Sequence, residues 1–334
     1  MERVSRLELE IIDIRRFEPE AFLPLLDAES RAWYEYLRWD FAASARLISN
    51  YLRGKRLAGY GLVLEGKVGG YCFFFYDGEK GLVGDLFVEP SFAGIDQVLR
   101  LLEHVLETLL ATPGVRRVEA QLAHFSFEDL EACFRAHGFE GYHRRFMAVS
   151  LEKRPRAPAT LTGKRSPRAA EGAILPDDFL LVPWDQKHNH DAAELLYKTY
   201  RYHVDAAIND QYNSLVGAGR LIENIAHQQG CGEFLPGVSR VAIHRRSHRV
   251  AGILTVTTVR HQTAHIPQVA VARTFQGCGL GTFLIESSFE ELTQQGYQEV
   301  TLTVTDANEG AVRLYERLGF ATFKRFGAFV FNRT

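Results

Sequence analysis

Hydrophobic and polar positions along this chain switch repeatedly between a period of two and a period near 3.6, the spacings of strands and helices. Leu7 to Ile14 reads as a first strand, and helical segments follow through about Leu52. Within them Glu29 to Arg38 (ESRAWYEYLR) carries three aromatics and is expected to be a core-facing amphipathic helix. Strands at Gly59 to Leu64, Val68 to Tyr76 and Leu82 to Val88 are separated by turn residues Gly66-Lys67 and Asp77-Gly78. A helix over Gln97 to Leu110, a strand over Val115 to Leu122, a helix near Phe127 to Ala136 and a strand near Phe146 to Leu151 close the first half. The second half opens with a strand near Phe179 to Val182 and a helix from about Asp191 to Val204, with Leu195, Leu196 and Thr199 inward. Leu221 to Ile225 looks helical, and strands follow at Arg240 to His244 and Val250 to Arg260. Gln268 to Ala272 is a short apolar run of the kind buried on both faces of a sheet. A helix over Thr282 to Gln295 stops at Gly296, and a strand over Gln298 to Thr305 puts Val300, Leu302 and Val304 on one face. The last helix, about Glu309 to Leu318, ends at Gly319.

This order repeats. Val88-Glu-Pro-Ser-Phe matches Val271-Ala-Arg-Thr-Phe, and Phe134-Arg-Ala-His-Gly-Phe matches Tyr315-Glu-Arg-Leu-Gly-Phe at nearly the same interval, which points to a tandem duplication. The expected division is a first domain over 1–152, a Pro/Ala-rich linker over 153–177 and a second domain over 178–334. The linker's basic run (Lys153, Arg154, Arg156, Lys164, Arg165, Arg168) reads as a solvated connection.

Composition narrows the classes. A chain of 334 residues can bury two cores, and 46% hydrophobic with 24% charged residues is ordinary for a globular protein. A formal charge of −2 argues against nucleic acid and anionic membrane as partners. No apolar run approaches the roughly 18 residues of a membrane helix, and the charged opening MERVSRLELE has no signal-peptide core. Cys72, Cys133, Cys231 and Cys278 form no C-x-x-C pair, so reduced thiols in a cytoplasm are expected, and no metal.

The chemistry concentrates in His265 to Thr282, HIPQVAVARTFQGCGLGT. Gly277, Gly279 and Gly281 follow the strand at every second position, removing Cβ atoms that hold a ligand off the backbone and permitting positive φ. The helix start that follows offers free N–H groups and the positive end of the macrodipole, an anion site. A P-loop is excluded, because no Gly-Lys-Ser/Thr follows the first glycine at the required spacing. A dinucleotide turn needs a glycine at position 282, which is Thr. Asp306 does lie where a ribose-binding acid is expected, but too little chain remains for a second βαβ half. Gln276-Gly-Cys-Gly-Leu-Gly281 resembles the Q/R-x-x-G-x-G/A motif of the GNAT superfamily of N-acyltransferases. Asn308-x-x-Ala311-x-x-x-Tyr315-x-x-x-Gly319-Phe320 resembles the same family's last-helix pattern. Asp306-Ala-Asn-Glu309 has the form of a capping box, with Asn308 as a second candidate N-cap.

The resemblance implies an α/β fold of two tandem GNAT-like domains, each a central, mostly antiparallel mixed sheet with helices on both faces. It implies transfer of an acyl group, most simply acetyl from acetyl-CoA, to a primary amine by direct attack. The loop residues Gln276, Gly277, Cys278, Gly279, Leu280, Gly281 and Thr282 then hold the pyrophosphate, Val269, Ala270 and Val271 line the pantetheine arm, and Asn308 belongs to the coenzyme site. Tyr315 matches the tyrosine that protonates the departing thiolate, and His265 falls at the position of the usual glutamate base. Asp205, Asp210, Tyr212 and Glu233 lie where the family closes over its acceptor, and suit a cationic amine. The first half departs from the pattern: Ala93, Asp96 and Val98 stand for Gln276, Gly279 and Gly281, and Phe134 for Tyr315, so it reads as a catalytically dead copy. The acceptor is a small-molecule amine or a peptide or protein amine, and a monomer or homodimer both suit the architecture. The alternative reading is an acyl-CoA-binding regulatory or interaction module without turnover.

Overall fold

The structure, a computed structural model, describes residues 9–92, 94–152, 178–227 and 229–333. The expected linker at 153–177 with its basic run, and Ala93, lie outside the described residues. The chain forms two compact units. Unit 1 contains the residues up to Arg144 together with those from Lys324, and unit 2 is Arg145–Phe323.

Unit 1 runs β1 (Leu9–Asp13), α1 (Leu23–Tyr36), α2 (Ala42–Arg53), β2 (Ala58–Leu64), β3 (Lys67–Asp77), β4 (Lys80–Val88), α3 (Ile95–Ala111), β5 (Arg117–Gln121), α4 (Phe127–Ala136) and the start of β6 (Glu140–Ser150). The strand order is β1-β2-β3-β4-β5, and Ala328–Asn332 of the last strand of the chain adds beside β5. All pairs are antiparallel except β4 with β5. On one face α3 buries Leu101, Leu102, Val105, Leu106 and Leu109 together with Phe134 and Phe329. On the other, α1 and α2 bury Leu25, Leu26, Ile48 and Leu52 against Tyr71, Phe73 and Phe87. The face that α1 turns inward is not the expected one. Tyr34 and Tyr36 are 48% and 68% exposed, whereas Glu29 is fully buried, because polar partners from the sheet receive it.

Unit 2 continues with β7 (Phe179–Pro183), α5 (Asn189–Tyr200), α6 (Val204–Ile208), α7 (Leu215–His227), β8 (Glu233–Phe234), β9 (Arg240–His244), β10 (Val250–Arg260), β11 (Thr263–Val271), α8 (Leu280–Gln294), β12 (Glu299–Thr305), α9 (Glu309–Arg317) and the start of β13 (Ala321–Asn332). Its order is β6-β12-β11-β10-β9-β7, with β8 beside β10. The β11–β12 pair is parallel, and β10 is antiparallel to β11, β9 and β8. Helix α8 sets Leu284, Ile285, Phe289 and Leu292 on one face of the sheet, each contributing about 1.5–3 kcal/mol of burial. Helices α5 and α7 cover the other face through Leu195, Leu196 and Ile222. Each unit is therefore a mixed sheet with helices on both faces.

In both units the central parallel strands part at the same place. Pairing of β4 with β5 ends at Val83 and Ala120, and pairing of β11 with β12 ends at Ile266 and Leu302. A bulge accompanies the parting each time, at Phe73/Phe74 against Asp85/Val83 and at Thr255/Thr257 against Gln268/His265. No helix of the described residues is long and apolar enough to cross a membrane.

Candidate active site

The site of unit 2 begins with the divergence of β11 from β12. Pro267 lies at the bulge and has no N–H to give to a ladder, so pairing with β12 stops just before it. Beyond it, Val269, Ala270 and Val271 stay paired to β10 on one side and line an open cleft of about 610 Å³ on the other.

The turn that follows is held in shape from within. Gln276 donates its side-chain N–H to the carbonyl of Val271 (3.1 Å), and the Cys278 thiol donates to the carbonyl of Phe275 (2.7 Å). Gly277 and Gly279 have φ of +78° and +93°, which L side chains rarely adopt. A Cβ at either would meet nothing within 4 Å, so the backbone there faces open space. Gly279 caps α8, whose first-turn N–H groups have no helical acceptors. Gln276, Gly277, Gly279, Gly281 and Thr282 line the cleft. Cys278 packs partly, and Leu280 fully, into the core beneath, and neither lines the cleft. Arg273 and Arg317 bring positive charge to the same cleft.

Helix α9 forms the opposite wall. Asn308 is its N-cap and accepts from the Ala311 N–H (3.3 Å). Asp306, the other capping candidate, is instead paired with Arg145 at 2.6 Å. Tyr315 lines the cleft at 7% exposure. Burial raises its pKa well above the usual phenol value, and the negative charge of Asp205 adds to the shift.

A polar network stands on the α5 side of the sheet. Gln268 donates to the Tyr200 hydroxyl (2.7 Å) and accepts from the Tyr212 hydroxyl (2.7 Å). Tyr200 donates to the carbonyl of Val269 (3.0 Å), and its ring stacks on Tyr212 with centroids 4.4 Å apart. Asp205 accepts from Thr305 (2.5 Å), and its Oδ2 lies 3.3 Å from His203 Nδ1. The Asp205 N–H donates to the same Nδ1 (3.2 Å), so the ring nitrogen facing the carboxylate is an acceptor. Tyr200 and His203 both line the cleft.

The sequence-derived residues thus fall in different places. Tyr315, Asn308, Val269–Val271 and the turn converge on one cleft, with Asp205 beside Tyr315. Tyr212 reaches the cleft wall through Gln268 and Tyr200. Asp210 sits in the short turn at Asp210–Asn213 and does not line the cleft. Glu233 is exposed and lines a separate cleft of about 630 Å³ with Trp184 and His227. His265 is 6% exposed, hydrogen-bonded to Thr301 (2.9 Å), and outside the cleft lining. Sequence reasoning passed over Tyr200, His203 and Gln268. An aromatic closing α5 and an amide within an apolar strand were the available signals. Among the described residues no three His, Cys, Asp or Glu side chains gather as a metal site.

The model of the acetyltransferase (GNAT) family matches residues 175–320. The chain is 35% identical over 78 residues to N-alpha-acetyltransferase 30 of Schizosaccharomyces pombe, covering 23% of this chain and 50% of that protein. It is 39% identical over 72 residues to the ribosomal protein bS18-alanine N-acetyltransferase of Salmonella typhimurium, covering 21% and 49%. These matches span half or less of the length of the curated relatives. Among solved structures, a tandem GNAT protein from the clavulanic acid biosynthesis pathway shares the fold at a TM-score of 0.60 and 17% identity, covering 97% of this chain and 98% of that one. A GCN5-related N-acetyltransferase from Sphaerobacter thermophilus does so at a TM-score of 0.64 and 17% identity, covering 97% and 95%. The chain therefore has the tandem-GNAT fold, and its residues 175–320 match the GNAT family of acetyltransferases.

Proposed function

We propose that unit 2 transfers an acetyl group from acetyl-CoA to a primary amine, of a small molecule or of a peptide. The observation that carries this reading is the convergence of the positive-φ glycine turn, the open edge of β11 and Tyr315 on a single cleft. The residues suit the coenzyme: two glycines leave main chain exposed at a helix N-terminus, and Arg273 and Arg317 supply charge for phosphates. The thioester supplies the activated acyl group, and all else is asked of the chain. Val269 to Val271 offer backbone groups to the arm and to the carbonyl under attack, where fixed N–H donors stabilise developing negative charge. Tyr315 keeps its proton because burial and Asp205 raise its pKa, and gives it to the leaving thiolate.

The amine must lose a proton. His203, which lines the cleft, is placed for that role: a proton taken by Nδ1 displaces the bond from the Asp205 N–H and leaves an imidazolium paired with Asp205 Oδ2. The His203 side chain is 32% exposed, so it passes the proton on to solvent. Gln268, Tyr200 and Tyr212 hold the wall against which the acceptor packs. The test is thiol release from acetyl-CoA across an amine panel, with Tyr315→Phe as control. Turnover that falls in the variant supports the transferase. Absence of release with every amine, despite tight coenzyme binding, supports a binding module.

A further inference from the structure

The open edge of β11 has a polarity of its own. In an extended strand the N–H and C=O of one residue point to the same edge, and successive residues point to opposite edges. The Ala272 N–H donates to the Ala251 carbonyl of β10 (2.8 Å), so Ala272, and with it Ala270, faces β10. Val269 and Val271 therefore turn their N–H and C=O groups to the other edge, which is the cleft. The bulge lies before Gln268, so this alternation runs unbroken along the cleft.

Both carbonyls on that edge are already occupied. Val271 accepts from Gln276 Nε2 (3.1 Å), and Val269 accepts from the Tyr200 hydroxyl (3.0 Å). Gln268 Nε2 stands 3.4 Å from the same Val269 oxygen, a weaker contact than its bond to the Tyr200 hydroxyl at 2.7 Å. The far end of that amide is held by Tyr212. Tyr200 thus accepts from Gln268 and passes its own hydrogen to Val269. Burial raises its pKa well above the usual phenol value, so the hydroxyl keeps the proton it donates. With the carbonyls capped, the edge offers a ligand only donors, the N–H groups of Val269 and Val271.

Unit 1 has the reverse arrangement. Asp85 follows the bulge on β4 as Gln268 does on β11, which sets Leu86 at the position of Val269. There the N–H is the occupied group: Leu86 donates to the Asp85 carboxyl (2.8 Å), which is itself hydrogen-bonded to Glu29 of α1. The unit without the glycine turn has lost the donor, and the unit with it has covered the competing acceptor.

That difference matters to a thioester. Its carbonyl oxygen gains negative charge under attack, which a fixed N–H stabilises and a bare carbonyl dipole on the same edge opposes. We infer that Tyr200 is a positioning residue for acyl transfer: by capping the Val269 carbonyl it leaves N–H groups alone to meet the carbonyl of the acyl thioester. The inference rests on the acetyl-CoA reading of this cleft.

The test is a calorimetric comparison of acetyl-CoA with S-ethyl-CoA, the thioether in which a methylene replaces the thioester carbonyl. The wild-type chain should bind acetyl-CoA about fivefold or more tighter, as one added hydrogen bond gives. Tyr200→Phe keeps the ring that stacks on Tyr212 and removes only the cap. It should bring the ratio below about twofold while the S-ethyl-CoA Kd stays within about twofold, whereas a merely structural tyrosine would weaken both compounds alike. The wild-type comparison does not depend on how the variant folds. Equal wild-type affinities, or a ratio unchanged by Tyr200→Phe, overturns the inference and leaves coenzyme binding in place. Binding of neither compound overturns the acetyl-CoA reading and this inference with it.

Discussion

Thr305, the last residue of β12, donates to Asp205, at the start of α6, at 2.5 Å. The contact joins residues a hundred positions apart and fixes a carboxylate beside Tyr315, whose proton affinity that charge raises. Thr305→Val keeps the volume and removes the donor, at a cost of about 1.5–3 kcal/mol for a hydrogen bond to a charged group. The amine KM should rise about tenfold or more, while the acetyl-CoA Kd stays within about twofold. Steady-state kinetics and calorimetry on the variant check this, and equal weakening of both ligands contradicts it.

Tyr315→Phe should lower kcat by about a hundredfold with coenzyme affinity unchanged, the loss expected of a general acid. Since burial and Asp205 push the pKa of this tyrosine upward, it stays protonated through the alkaline range of an assay. The kcat profile should therefore show no alkaline limb from Tyr315 below pH about 10, the ordinary phenol value. A limb there that vanishes in Tyr315→Phe contradicts the assignment.

Gly279→Ala tests the turn. The added Cβ meets no atom within 4 Å, so the expected damage is backbone strain at φ +93°, about 1–2 kcal/mol. Acetyl-CoA binding should weaken about tenfold, with the melting temperature shifted only a few degrees. A variant that binds as tightly as the parent shows that the left-handed geometry is not needed for binding.

The buried pair in unit 1 gives a pH prediction of unusual sign. Asp85 has a folded-state pKa raised by burial and by Glu29 above the ordinary carboxylate value of 3.8. Its contribution to stability is fully present below that value and is lost as pH rises toward the folded pKa, because only the unfolded chain ionises there. Asp85→Asn removes the titration and keeps an N–H to donate to Glu29. Thermal melts across pH should show a gain in stability for the variant that grows with pH above about 4 and is absent below it. A variant less stable at neutral pH than at pH 4, relative to the parent, refutes the raised pKa.

What could be read from the sequence was whatever depends on near neighbours in the chain. Strands Arg240–His244 and Val250–Arg260 and helix Phe127–Ala136 stand where periodicity put them. The turn at Gln276–Thr282 and the Asn308 cap are local too, since glycine geometry and capping act within a few residues. The Gln268 network was not legible, because Tyr200 and Tyr212 lie 68 and 56 positions away. Glu29 was hidden for the same reason: a helix with three aromatics looks apolar-facing until Tyr71, Asp85 and His124 are known to meet it. Linear boundaries likewise had no means of showing that residues from Lys324 pack within unit 1.

The most direct test of the account is a calorimetric titration of the full chain with acetyl-CoA. The prediction is one site per chain, abolished by Gly279→Asp, which sets a carboxylate at the helix N-terminus where phosphate must bind. Two sites per chain, or a single site that survives Gly279→Asp, contradicts the placement of the coenzyme in unit 2.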